Sequence, residues 1–272
     1  MEASALLPGV RRVHFIGIGG SGMCSLAEIL HAMGYEVSGS DDLESDNVAR
    51  LRSLGISVSL PLAARNIREP EAVVYTVAVS DTHPEMQAAK ALGVPVIERA
   101  ALLGMLTRHY PRSLAVAGTH GKTTTTSMVS QILLEAALDP TLVIGGRLPL
   151  IEANGRAGRS DILVCEACEF KDHFLQMAPA VSVILNIDAD HLEYFGSLEN
   201  IIRSFRRFSE QTGSTLLVNG DDANTLRAVD GLEGKTIVRF GLAPENEWAA
   251  LNITEGGPYG RYDLYHSGTF VA

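Results

Sequence analysis

The sequence has no surplus of positive charge: 22 Lys and Arg stand against 32 Asp and Glu, a formal net charge of −10 over 272 residues. A sequence-independent grip on nucleic acid or on an anionic membrane surface is therefore not expected. Cysteine is scarce, with three in all. Cys165 and Cys168 form a C-x-x-C that begins inside an apolar strand pattern, and no second pair completes a zinc site. They read as small apolar-tolerant side chains. No stretch approaches the roughly 18 apolar residues of a membrane span, and the opening "MEASALLPGVRRVHF" lacks the charged-then-apolar order of a secretory signal. A reduced, cytoplasmic protein is expected. Internal repeats and low-complexity segments are absent as well. The one basic run, "RSFRR", lies in a helical pattern with Leu198, Ile201, Ile202, Phe205 and Phe208 on one face, so its arginines read as a solvated face.

What the sequence does have is apolar strands alternating with helical stretches. "RVHFIGIGG" is a strand entering a glycine turn, followed by a helix from about Ser21 to Met33. "YEVSGSD", "EAVVYTV" and "VPVIE" are further strands. After a pause at "HYPRS" a second series begins with "LAVAG" and continues through "DILVCEA", "VSVILNI", "STLLVNG" and "TIVRFG". This alternation predicts an α/β fold with parallel sheets covered on both faces. A boundary is expected near residue 110, giving domains 1–110 and 111–272. The stretch from Ala250 to Ala272 reads as strands and a hairpin, with no closing helix.

"GIGGSG" fits G-x-G-x-x-G with Gly17, Gly19 and Gly22, and Asp41 and Asp42 end the next strand. Such glycines let a backbone approach a diphosphate at a helix N-terminus. The motif leaves open a dinucleotide, a nucleotide sugar, or a tight turn that binds nothing. "AGTHGKTTTT" resembles a P-loop shortened by two residues: only Thr119 and His120 separate Gly118 from Gly121. Lys122 supplies a charge for β- and γ-phosphates, and Thr123 a hydroxyl for Mg²⁺. Lys122 is expected at an exposed helix start, where replacement by Ala changes stability by no more than about 0.5 kcal/mol. Glu166 ends one strand, and Asn186, Asp190 and His191 follow another. Strand ends are where ligands gather in open α/β sheets, so these residues can converge with the loop on a metal or phosphoryl group.

Taken in order, "HFIGIGGSGM", "YEVSGSD", "AGTHGKTTTTSM", "VCEACE" and "NIDADH" resemble the Mur ligases of peptidoglycan synthesis, over nearly the whole chain. "EACEFKDHFL" and "NIDADHLEYFGSLENI" look like the L-alanine-adding branch. The resemblance implies a Rossmann-like, parallel-sheet N-terminal domain followed by a P-loop-type α/β central ATPase domain, incomplete at its C-terminal end. It implies ATP and Mg²⁺, and UDP-N-acetylmuramate and L-alanine as substrates, joined through an acyl phosphate. By carry-over, Gly17, Gly19, Gly20, Ser21, Gly22 and Met23 face the diphosphate, and Asp41 the uridine. Thr76 and Ser80 stand where the family commonly has a Ser-Ser-Ala substrate loop. Gly118, Thr119, His120, Gly121, Lys122, Thr123 and Thr124 hold ATP; Thr123, Glu166 and His191 hold metal; Lys122, Asn186 and His191 are catalytic. Some members carry a carbamoylated lysine where this sequence has "RSFRR", so Arg206 or Arg207 is expected to supply charge instead. The family's C-terminal domain and a late asparagine-rich loop are not found in these residues. The rival readings are a sister ligase that adds a tripeptide, an NAD-dependent oxidoreductase joined to an NTPase, and a non-catalytic UDP-sugar-binding fragment.

Overall fold

The structure, a computed structural model, describes residues 6–256 and 259–272. The chain forms two compact units, Met1–Ser113 with Thr123–Glu166, and Leu114–Lys122 with Ala167–Ala272. Compactness thus divides the chain by interleaving rather than by one cut.

The first unit opens with β1 (Arg12–Ile16), α1 (Ser21–Ala32), β2 (Glu36–Ser40), α2 (Asp46–Ser53), β3 (Ser57–Ser59), β4 (Ala72–Tyr75), α3 (Pro84–Leu92), β5 (Val96–Glu98) and α4 (Arg99–His109). The strands form an all-parallel sheet in the order β3-β2-β1-β4-β5. Its central strands are buried on both faces, as parallel strands between helices must be; Phe15, Ile16, Val73 and Val74 are fully inaccessible. The chain leaves β1 toward β2 and β3, then returns to pair β4 on the other side of β1. The loops after β1 and β4 therefore meet at a switch point, where such sheets bind ligands.

One inward-facing group on β1 is polar. His14, 3% exposed, has Nδ1 3.0 Å from Ser38 Oγ and Nε2 3.3 Å from Ser40 Oγ. Ser40 donates to the fully buried Glu85 at 2.6 Å, and Glu85 Oε1 accepts from Ala63 N and Asn66 Nδ2. The network ties β1, β2 and the start of α3 together.

After β6 (Arg112–Ala117) and α5 (Lys122–Glu135) come β7 (Thr141–Leu148), β8 (Ala153–Arg156) and β9 (Ile162–Glu166). β7 pairs β9 in parallel but β8 antiparallel, so β8 adds an antiparallel edge that the strand–helix alternation did not signal. Gly155 of β8 admits α1 closely, since a Cβ there would lie 2.7 Å from Ser25 Oγ.

The second unit contains β10 (Val181–Ile184), α6 (Leu192–Phe195), α7 (Leu198–Gln211), β11 (Thr215–Asn219), α8 (Ala223–Val229) and β12 (Thr236–Gly241). β6, β10, β11 and β12 are successive parallel neighbours. β13 (Trp248–Gly256), β14 (Tyr259–His266) and β15 (Thr269–Phe270) finish it, with β13–β14 and β14–β15 antiparallel. The strands expected after Ala250 are therefore there, while Gly257 and Pro258 lie outside the described residues. α7 carries the expected apolar stripe, burying Ile201, Ile202, Phe205 and Phe208. Phe174 stacks on Phe208 at 4.8 Å and meets Phe205 edge-on at 5.1 Å. Arg203 and Arg207 are exposed. Arg206 bonds Glu210 at 3.1 Å and the Asp230 carbonyl, so it secures the end of α8 and is not the site cation expected of it.

Candidate active site

In the first unit the glycine loop runs from the end of β1 into α1. Gly17 takes φ 76°, a left-handed conformation that suits glycine, and the N–H groups of Gly17 and Ile18 both donate to the Ser40 carbonyl, at 2.8 and 2.9 Å. The Gly19 peptide is clamped from both sides: its N–H donates to Asp41 Oδ2 and its carbonyl accepts from Asn47 Nδ2, each at 2.7 Å. Asp41 therefore holds the loop itself. α1 begins with no side-chain cap and no acid in its first turn. The Met23 and Cys24 N–H groups bond the Gly20 carbonyl, while those of Ser21 and Gly22 have no backbone acceptor among the described residues. Met23 is 2% exposed, so its side chain is core and does not face a ligand. Thr76 flanks the loop, with its methyl 3.6 Å from where a Gly17 Cβ would stand. Ser80 is exposed and pairs with the Thr82 hydroxyl at 3.1 Å.

In the second unit the shortened P-loop rests on the segment after β10. Gly118 is buried at φ 144°, and a Cβ there would meet Leu185 Cβ at 3.0 Å. Asn186 grips the His120 peptide in both directions, accepting from its N–H at 2.8 Å and donating to its carbonyl at 3.0 Å. Thr119, also buried, donates its N–H to the Asn186 carbonyl and accepts from Asp188 N at 2.9 Å. Asn186 is thus a strut for the loop, a role its sequence position did not reveal.

Lys122 Nζ donates to the carbonyls of Gly118 at 2.6 Å and Thr119 at 3.1 Å, and reaches both oxygens of Glu169 at 3.0 and 2.9 Å. Its side chain is 18% exposed, and that of Glu169 3%. This corrects the exposed helix start expected for Lys122: a cation tied to a buried carboxylate cannot be removed without stranding that carboxylate. Glu169 was missed in the sequence, although a second Glu three residues after Glu166 was there to be read. His191 begins α6 at φ 50°, with its ring 4.7 Å from the Phe170 ring and Nδ1 3.5 Å from Glu193 Oε1.

In the first unit Thr123 Oγ1 donates to Glu166 Oε2 at 3.1 Å, and Gly145 N donates to Glu166 Oε1. Gly145 and Gly146 make room for this pair: a Cβ on Gly145 would lie 2.6 Å from Glu166 Oε2, and one on Gly146 2.9 Å from Thr123 Cγ2. This Gly-Gly inside a strand was the overlooked sequence signal. Thr124 is exposed. Among the described residues no three His, Cys, Asp or Glu side chains gather as a ready metal cage. All three cysteines are thiols; burial pushes Cys24 up to about 11 and Cys165 well above its ordinary value, so both stay protonated and unreactive. No helix among the described residues is long and apolar enough to cross a membrane.

Two family profiles account for most of these residues: the Mur ligase family, catalytic domain, over residues 12–111, and the Mur ligase middle domain over residues 116–266. The chain belongs to the Mur ligase family. It is 44% identical over 265 residues to a UDP-N-acetylmuramate–L-alanine ligase of Caldanaerobacter subterraneus subsp. tengcongensis, covering 96% of this chain and 57% of that protein. A protein of the same name from Agathobacter rectalis is 46% identical over 245 residues, 89% of this chain and 53% of its own. The chain thus spans a little over half the length of these curated relatives. Among solved structures, the UDP-N-acetylmuramate-alanine ligase MurC of Thermotoga maritima matches with TM-score 0.83 at 30% identity, covering 96% of this chain and 59% of its own. The UDP-N-acetylmuramate:L-alanyl-gamma-D-glutamyl-meso-diaminopimelate ligase of Neisseria meningitides matches with TM-score 0.84 at 28% identity, covering 96% and 86%.

Proposed function

We propose that this chain carries the UDP-sugar-binding and ATP-binding domains, 1–110 and 111–272, of a cytoplasmic ligase that joins L-alanine to the lactyl carboxylate of UDP-N-acetylmuramate in peptidoglycan precursor synthesis. The observation that carries the reading is 44% identity to an enzyme of that name across 96% of the chain. Both glycine loops support it, since each sets backbone N–H groups at a helix start, and the second adds the Lys122 cation there.

A carboxylate is a poor acylating agent. Transfer of the ATP γ-phosphate makes it an acyl phosphate, which the amine of L-alanine attacks as phosphate leaves. The first step brings two anions together, so catalysis rests on positioning and charge neutralisation. Gly17 to Gly22 would hold the diphosphate of the sugar nucleotide, with Thr76 and Ser80 beside it. Gly118 to Thr124 would cradle the ATP phosphates on the strut of Asn186, and Lys122 would neutralise charge at the phosphoryl group in flight. Thr123 and Glu166 fit Mg²⁺: they are hard oxygen donors 3.1 Å apart, and Mg²⁺ in such sites takes one or two protein ligands with phosphates and water completing the shell. Thr123 and Glu166 would hold the ion, which would supply positive charge against the phosphates. Similarity to the family adds His191 as a further metal position.

Titration of the chain with UDP-N-acetylmuramate, Mg–ATP and NADH tests the reading. Binding of the first two is expected, and tighter binding of NADH overturns the sugar-nucleotide assignment. Mass spectrometry for the UDP-sugar–alanine product tests ligation. Its absence both from this chain and from this chain extended by the C-terminal region of the Caldanaerobacter relative overturns the L-alanine reading.

A further inference from the structure

The third glycine of a G-x-G-x-x-G turn usually serves close packing of helix on strand. Here Gly22 faces a different neighbour. A Cβ at this position would lie 3.0 Å from Nη1, 3.3 Å from Cδ and 3.7 Å from Cζ of Arg99, the first residue of α4. The Arg99 guanidinium thus lies against the bare face of Gly22.

Arg99 is half-buried, and no carboxylate among the described residues comes within ion-pair distance of it. Arg11, Arg12, Arg50 and Arg52 of this unit each face a glutamate at 3.3 Å or less, while Arg65 and Arg68, also without a carboxylate partner among the described residues, are exposed. A guanidinium held off bulk water and left unpaired is an open site for an anion, and its planar fork suits phosphate oxygens. The uncapped N–H groups of Ser21 and Gly22 lie in the same turn. Cation and amides are thus set against one stretch of backbone, while the Gly19 peptide beside them is already occupied by Asp41 and Asn47.

We infer that Arg99 is a ligand-binding residue of the first glycine loop that recognises the diphosphate of a bound nucleotide. The inference rests on the sugar-nucleotide reading above and adds to it the one side-chain cation of the subsite. It also gives the bare Gly22 a role, because a Cβ there would crowd the fork and shift it by a few tenths of an ångström.

The test is calorimetric titration of the full chain and its Arg99→Gln and Arg99→Lys variants with UDP, uridine and NADH. Loss of a charge-assisted contact to phosphate is expected to weaken UDP binding by about 10- to 100-fold in Arg99→Gln. Arg99→Lys should recover part of that loss, and uridine binding should not change. Equal weakening of UDP and uridine would mean that Arg99 only shapes the loop, and unchanged UDP binding would mean that it does not touch the diphosphate; either overturns the inference while leaving the sugar-nucleotide reading intact. Should the unaltered chain bind NADH but not UDP, both fail together. A Gly22→Ala variant keeps the proposal testable if Arg99 variants fold poorly, since it should weaken UDP and spare uridine.

Discussion

The two glycine loops follow the same plan, strand to turn to helix, yet they keep their cations in opposite states. In the first, Asp41 and Asn47 clamp the Gly19 peptide, and Arg99 stands over Gly22 with no carboxylate partner. In the second, Asn186 clamps the His120 peptide, and Lys122 is already held by two loop carbonyls and the buried Glu169. Both backbones are fixed from outside by a carboxamide. What differs is the charge: one loop has a cation with no carboxylate partner, the other a cation already tied to a buried carboxylate. A buried carboxylate that loses its partner is costly, so under the proposed function phosphate at the second loop would have to compete with Glu169 for Lys122, a competition that the first loop lacks.

The largest effect should come from breaking that pair. Lys122→Ala leaves Glu169 buried without a cation and should cost about 3 kcal/mol, together with loss of ATP binding. Adding Glu169→Gln should return most of the stability but none of the ATP binding. Equal melting temperatures for Lys122→Ala and the unaltered chain would show that the pair contributes little.

The first unit has its own buried charge risk in His14. Burial lowers its pKa to about 4 from 6.5, the facing Glu85 opposing the shift. Unfolded chains take up a proton on this histidine below about pH 6.5, whereas the folded protein does so only near pH 4. The stabilising contribution is complete above pH 6.5 and is lost as pH falls through that window, by about 3 kcal/mol in all. Melting temperatures at pH 7 and pH 4.5 should therefore converge in His14→Gln relative to the unaltered chain. A parallel pH dependence in the two would refute this.

A smaller effect is expected at the struts. Asn186→Ala removes two hydrogen bonds to the His120 peptide and should cost about 1–2 kcal/mol, weakening ATP while sparing UDP. Asn47→Ala removes one bond from the first loop and should weaken UDP by about 5-fold while sparing ATP. Cross-effects of similar size, read by titration of both nucleotides, would dissolve the distinction between the loops.

Smallest in stability is Glu166→Gln. It keeps an acceptor for Thr123 and Gly145 but removes the charge, so unfolding should shift by no more than about 1 kcal/mol. The dependence of ATP binding on Mg²⁺ should nonetheless fall, as titration with and without chelator would show.

Much of this could be read from the chain alone, because it depends on local pattern. Buried parallel strands are unbroken apolar runs, phosphate turns need glycines at fixed intervals, and α7 declares its face by the spacing of Ile201, Phe205 and Phe208. Those rules placed most of the strands, both loops and Glu166 at the end of β9, whereas His191, expected just after a strand, stands at the start of α6. The sequence could not show which distant side chains hold the loops. Asn47 meets Gly19 across 28 residues, Glu169 meets Lys122 across 47, and Asn186 meets His120 across 66. Arg99 reaches Gly22 from another helix. None of these pairs has a spacing that any helix or strand period makes special. Whether a cation is open or paired, and whether a carboxylate is solvated or buried, is set by what the tertiary structure packs around it, because desolvation and partner geometry fix the energy of a charge.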